Sequence, residues 1–204
     1  MRVRVAVLAA LVSCFAVPAL AQSPRLPAIP PASYDDAQKK AAAEFEAALK
    51  RPPYGPFEKL MYSPEMMVPA REMGNYLRRK SAIGTTLSEF VILVTAREWS
   101  QDYVWSSHAP SALEAGIAKA IVDAIADGRR PQGMTADEEI CYDFSIELLR
   151  NKRVSDATYE RAKSRFGDRG VLDLASISGY YTFITMILNT ARVPGRDKLS
   201  RFPD

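Results

Sequence analysis

Apolar residues recur at three- and four-residue spacing along almost the whole chain, and no segment alternates with period two for long enough to require a strand. The pattern predicts an all-α fold, a single-domain helical bundle of about eight helices. Ser33 is placed to cap an alanine-rich helix running to about Lys50, which "RPPYGP" stops. A short helix is expected over residues 57–62 and a longer one over 65–80. Thr86-Leu87-Ser88-Glu89 reads as a capping box opening a helix to about Ser100, and a further helix ends near Gly116. Residues 117–127 form a short amphipathic helix closed by Gly128. Thr135-Ala136-Asp137-Glu138 is a second capping box, opening a helix to about Asn151. Ser155 caps the next helix, and Gly167 ends it. Residues 168–190 form one long apolar helix, in which Asp173, Ser176, Ser178, Thr182 and Thr185 favour a buried central helix over a membrane span, so no stable membrane insertion is expected.

The first residues break this pattern. "MRVR", a mostly apolar Val5 to Val17, and Ala19-Leu20-Ala21 after Pro18 have the layout of a secretory signal peptide cut before Gln22. The expected organisation is therefore a leader (1–21), a Pro-rich tether (22–32), extended or disordered, a helical domain (33–194) and a C-terminal tail (195–204). The protein is expected to be exported, periplasmic or secreted; a lipoprotein anchored at Cys14 of "LVSC" is the competing reading. Removing the leader takes two arginines and no acids, leaving 25 basic against 24 acidic side chains, a charge of +1. With no Lys/Arg cluster, a nucleic-acid partner is not expected. The leader also takes Cys14, so Cys141 is left alone and no intramolecular disulfide can form.

The rarest side chains are concentrated in "WSQDYVWSSHAP", residues 99–110, which holds both tryptophans and the only histidine, His108. Imidazole exchanges protons near neutral pH, so His108 is the leading candidate for chemistry; a hydrogen-bonded structural histidine is the alternative. No second histidine, cysteine pair or ligand spacing supports a metal, and no cofactor is expected. Glu89 has a structural role available as the N3 residue of its capping box. Nineteen residues separate it from His108, so the two meet only if the chain turns near residues 100–102 and two helices pack as an antiparallel hairpin. Trp105 lies three positions before His108, on the same side of a helix. Trp99, Tyr103 and Trp105 also suit core or interface packing. Of Tyr180 and Tyr181 in the apolar last helix, at least one needs a hydroxyl partner. Cys141, among Ile140, Tyr142 and Phe144, reads as an inert buried thiol. Ser106 and Ser107 lack a nucleophile-elbow context, which excludes a serine hydrolase of that type.

The segment "LSEFVILVTAREWSQDYVWSSHAPSALEAGI" resembles the core of the carboxymuconolactone decarboxylase family, which includes alkylhydroperoxidase D. That core has a glutamate-bearing helix, a Cys-x-x-Cys-x-x-x-His segment and an alanine-rich helix ending in Gly; Glu89, His108 and Ala115-Gly116 match it. A weaker likeness continues through "RVSDATYERAKSRFG" and "GYYTFITMILNTARVP", so that it spans roughly residues 60–194. The resemblance implies an alkylhydroperoxidase D-like bundle that forms homo-oligomers. The two cysteine positions fall on Gln101 and Val104, so the chain resembles a cysteine-free branch. A disulfide-cycling peroxidase needs an attacking and a resolving thiol, and this segment has neither.

What the resemblance then implies is a cofactor-free lyase, a decarboxylase-like enzyme acting on a small carboxylated or lactone-like substrate. Glu89 and His108 would hold and deliver the proton, Tyr103 and Trp105 would line the pocket, and Arg97 would clamp a carboxylate. A carboxylate beside His108 is expected to raise its pKa, as suits a proton donor. The alternatives are an alkylhydroperoxidase-type antioxidant activity, disfavoured by the missing cysteines, and a non-catalytic ligand-binding or oligomeric scaffold protein.

Overall fold

The periodicity is realised as helices throughout. The computed structural model describes residues 25–196 and Phe202, and among these it contains eight α-helices and no strand. They are α1 (Asp36–Leu49), α2 (Pro56–Leu60), α3 (Pro64–Arg79), α4 (Gly84–Glu98), α5 (Asp102–Glu114), α6 (Lys119–Ala126), α7 (Ala136–Ile146) and α8 (Asp156–Ala191). The expected leader, with Cys14, lies outside the described residues. From Arg25 onward the Pro-rich segment is fastened to the body. Arg25 N–H donates to the Ala191 carbonyl at 2.9 Å, and the Leu26 and Pro27 carbonyls accept from Lys59 Nζ at 3.0 Å and the Tyr62 hydroxyl at 2.7 Å.

The hub is α4. Its residues Ser88 to Ala96 are all buried, and it packs against α3, α5, α6, α7 and α8. A helix that is apolar on every side can only be stable when surrounded. The expectation of a central last helix is corrected accordingly. One face of the second half of α8, with Leu174, Ile177, Tyr181 and Leu188, is buried in the core, while Leu172 and Met186 stand 68% and 49% exposed on the other.

Helix starts show where local signals hold and where they yield. Asp35, not Ser33, caps α1, in a capping box with Gln38, because Ser33 is already used in a 3-10 turn over Pro31–Ser33. The Thr135–Glu138 box forms in full: Thr135 Oγ1 accepts from Glu138 N–H at 3.2 Å, and Glu138 Oε2 from Thr135 N–H at 2.7 Å. The Thr86–Glu89 box does not form. Gly84, at φ +80°, starts α4 two residues before Thr86 and places both residues inside the helix. Thr86 instead donates to the Ala115 carbonyl at 3.1 Å, tying α4 to the end of α5. Glu89 is thereby released from capping and turned into the bundle. Gly167, at φ +68° and ψ 177°, breaks α8 where the sequence predicts a boundary, in a conformation that is nearly glycine-only.

Candidate active site

Four helices each contribute one side chain to a continuous polar chain beneath a cavity. Arg78 comes from the end of α3, Glu89 from the second turn of α4, His108 from the middle of α5 and Tyr181 from α8. Arg78 donates from Nε at 3.0 Å and from Nη2 at 2.7 Å to Glu89 Oε1. Glu89 Oε2 lies 2.6 Å from His108 Nδ1. His108 Nε2 in turn lies 3.4 Å from the Tyr181 hydroxyl, with the two rings edge to face at 5.1 Å. The sequence places the turn correctly: Gln101 caps α5, accepting from Tyr103 N–H at 2.6 Å and from Val104 N–H at 3.3 Å. That turn folds α5 back along α4 and brings Glu89 to His108.

The electrostatics fix the protonation of this chain. Glu89 is only 2% exposed, and an isolated carboxylate there would cost several kcal/mol. Burial opposes its ionisation, but the His108 hydrogen bond and the Arg78 guanidinium outweigh burial and hold its carboxyl below the usual value. His108 moves opposite to expectation: burial pushes its pKa below that of an ordinary histidine, although Glu89 pulls upward. Burial of the ring is the largest cause, and the nearby Arg78 guanidinium adds to it in the same direction. A charged imidazole would leave a net positive cluster out of water. Near neutral pH, Glu89 is therefore the carboxylate, His108 donates Nδ1–H to it, and the Nε2 lone pair accepts from Tyr181. Burial pushes the Tyr181 phenol well above its ordinary pKa, so it remains a donor.

Above this chain lies a cavity of about 500 Å³ reached by Tyr181 and His108. Its apolar walls include Tyr54, Phe57, Tyr103, Tyr180 and Ile184. The loop between α1 and α2 supplies one side, closed tightly enough that a Cβ on Gly55 would sit 2.4 Å from the Tyr103 hydroxyl. Tyr103 thus lines the cavity. Trp105 and Arg97 do not, and their expected binding roles are corrected. Trp105 turns into the core, 4% exposed, with its ring edge to face with Phe202 at 5.4 Å, a contact from the far end of the chain that helical spacing cannot reveal. Arg97 lies two turns along α4 from Glu89, about 12 Å away. There it covers the Phe202 ring at 5.1 Å and donates to Ser100 Oγ at 3.3 Å.

The sequence by itself assigns no site role to Arg78 or Tyr181. Tyr181 had a signal, an apolar helix with a hydroxyl to satisfy, whereas Arg78 in "YLRRK" is locally indistinguishable from a solvated charge. Cys141 is fully buried in α7, away from the cavity, and burial pushes its thiol far above the reactive range. No three His, Cys, Asp or Glu side chains converge among the described residues.

No protein-family model and no curated protein matches the sequence. Solved structures similar in fold include two peroxidase-related proteins. The alkylhydroperoxidase AhpD core of an uncharacterized peroxidase-related protein from Ralstonia eutropha JMP134 superposes with a TM-score of 0.68 at 16% identity, over 89% of this chain and 98% of that one. An uncharacterized peroxidase-related protein from Silicibacter sp. TM1040 gives a TM-score of 0.64 at 17% identity, over 82% of this chain and 87% of that one. In fold, then, the chain is an all-helical protein of the alkylhydroperoxidase AhpD core type.

Proposed function

We propose that the cavity is the active site of a cofactor-free lyase, decarboxylase-like, acting on a small carboxylated or lactone-like substrate through His108 and Glu89. The observation that carries this reading is the buried Arg78–Glu89–His108–Tyr181 chain, which ends with an imidazole nitrogen and a phenol facing an apolar, ligand-sized cavity. Loss of CO2 from a carboxylate conjugated to a carbonyl leaves an enolate. One proton from solvent must then reach the carbon for each CO2 released. His108 is neutral in the free protein, so it takes that proton up at Nε2 when the substrate's negative charge offsets the imidazolium that forms. It returns the proton to carbon after CO2 departs. Glu89 holds the ring and stabilises the transient imidazolium, as a carboxylate partner of histidine does. The Tyr181 hydroxyl, freed from Nε2, donates to the enolate oxygen.

A peroxidase reading, which the names of the two similar structures would suggest, has less support: Gln101 and Val104 stand where its thiols are needed, and Cys141 is remote from the cavity. The test is a panel of carboxylated lactones and β-keto acids, assayed for CO2 release in D2O. The expected result is one deuterium on the product carbon and a loss of about 10²–10⁴-fold in kcat for His108→Asn, the range of general acid–base catalysis. Glu89→Gln should weaken turnover. Turnover undiminished in His108→Asn would remove the reading and leave the cavity as a binding site.

A further inference from the structure

The cavity wall carries five arginines, Arg51, Arg71, Arg78, Arg79 and Arg196, and no aspartate, glutamate or lysine. Only Arg78 is matched by a buried carboxylate, Glu89. Arg71 donates to the Glu44 carbonyl at 2.9 Å and reaches Glu72 only at 3.4 Å, a carboxylate 68% exposed to water. Arg51 lies 3.6 Å over the Tyr54 ring, a contact that orients its guanidinium without neutralising it. Arg79 and Arg196 make no side-chain ion pair among the described residues. Three to four positive charges therefore surround one space of about 500 Å³, held by the α1–α2 loop, α3 and the segment after α8. Like charges so gathered repel one another, a cost that a bound anion would relieve. A ligand that offsets them all must carry more than one negative group, because a single carboxylate engages one guanidinium fork, or two at most.

Resting on the reading of the cavity as the substrate site, we propose that its ligand is a small polyanion with three or more negative charges, of tricarboxylate or phosphate-ester chemistry. Arg51, Arg71, Arg79 and Arg196 grip the anionic groups, and Tyr54 and Phe57 cover its apolar frame. One anionic group is then directed to Arg78 and His108, and the others anchor the molecule at the mouth. This arrangement makes binding, and not the proton relay, the step that selects the substrate.

Calorimetric titration of the full chain at low ionic strength tests this with acetate, succinate, tricarballylate and pyrophosphate. Tricarballylate, pyrophosphate or both should bind at least tenfold more tightly than succinate and at least a hundredfold more tightly than acetate. The advantage should shrink as salt is added. The tighter of the two trianionic probes identifies carboxylate or phosphate as the chemistry read. Arg51→Gln and Arg79→Gln, both at the exposed mouth, should each weaken that binding tenfold or more, with the thermal midpoint of the ligand-free protein unchanged or higher. Equal affinity across the series, or arginine variants that bind as the parent does, would overturn the proposal. The two readings fail separately. Polyanion binding that survives in His108→Asn tests the arginines alone, and His108-dependent turnover without a charge preference would sink only the polyanion.

Discussion

At the scale of single residues, the decisive fact is that Glu89 has two partners on two oxygens. Arg78 takes Oε1 and His108 takes Oε2, so one buried carboxylate both satisfies a guanidinium and sets an imidazole tautomer. The consequence for pH follows from the direction of the His108 shift. Its folded pKa lies below the ordinary value of about 6.5, so in that window the unfolded chain binds the extra proton and the native state does not. Stability is therefore greatest above about 6.5 and is lost as pH falls through the folded value of His108; a second loss follows when Glu89, also depressed, is protonated. As the only histidine, His108 gives an imidazole NMR titration free of overlap. We expect its midpoint below 6.5, and Tyr181→Phe, which removes a donor to the neutral form, should move it upward. A midpoint above the ordinary value, insensitive to Tyr181→Phe, would mean that the imidazole is the charged partner of Glu89. Glu89→Gln should destabilise by about 1–3 kcal/mol, since it leaves the Arg78 charge without its anion, a cost that the partial exposure of Arg78 moderates. Chemical denaturation measures it.

At the scale of elements, two stretches with the same Thr-x-x-Glu pattern behave differently, which marks the limit of local reading. In both, a threonine is followed three residues later by a glutamate. Thr135 itself is extended, at φ −64° and ψ 161°, so it stands outside the helix as a cap and the reciprocal bonds form. At Thr86 the left-handed Gly84 has already opened α4, so the threonine is helical and its glutamate is spent on Arg78 and His108. Thr135→Ala should then cost about 0.5–2 kcal/mol as a lost cap, whereas Thr86→Ala, losing one exposed bond to Ala115, should stay within about 0.5 kcal/mol. Urea unfolding midpoints for the pair decide it; equal losses would restore a capping role for Thr86. The helices themselves were legible because burial imposes a period on the sequence. The break at Gly167 was legible because only glycine adopts its backbone angles readily. The identity of the central helix was less legible, since α4 and the second half of α8 are similarly apolar and only packing shows which is enclosed.

At the scale of the whole molecule, the site gathers positions from Arg51 to Arg196, and sequence reading reached only the part joined by one turn. Glu89 and His108 are paired by the family resemblance together with a turn expected near residues 100–102, whereas Arg78 and Tyr181 arrive from helices whose approach no local spacing encodes. The same turn decides what chemistry the fold can host. Gln101 is 3% exposed, caps α5 through Oε1 and donates from Nε2 to Asn189 at 2.9 Å, joining α5 to the end of α8. Val104 is 2% exposed in the core. Where the alkylhydroperoxidase D-like segment would carry an attacking and a resolving thiol, this chain has a helix cap and a packing residue. The thiol of Cys141 in α7 is held protonated by burial, and a thiol is a poor nucleophile until ionised. Organic hydroperoxides supplied with dithiothreitol should accordingly disappear at the rate of a no-protein control, for the parent chain and for Cys141→Ser alike. Steady consumption that is lost in Cys141→Ser would show that α7 opens often enough to expose its thiol, and would return redox chemistry to this fold.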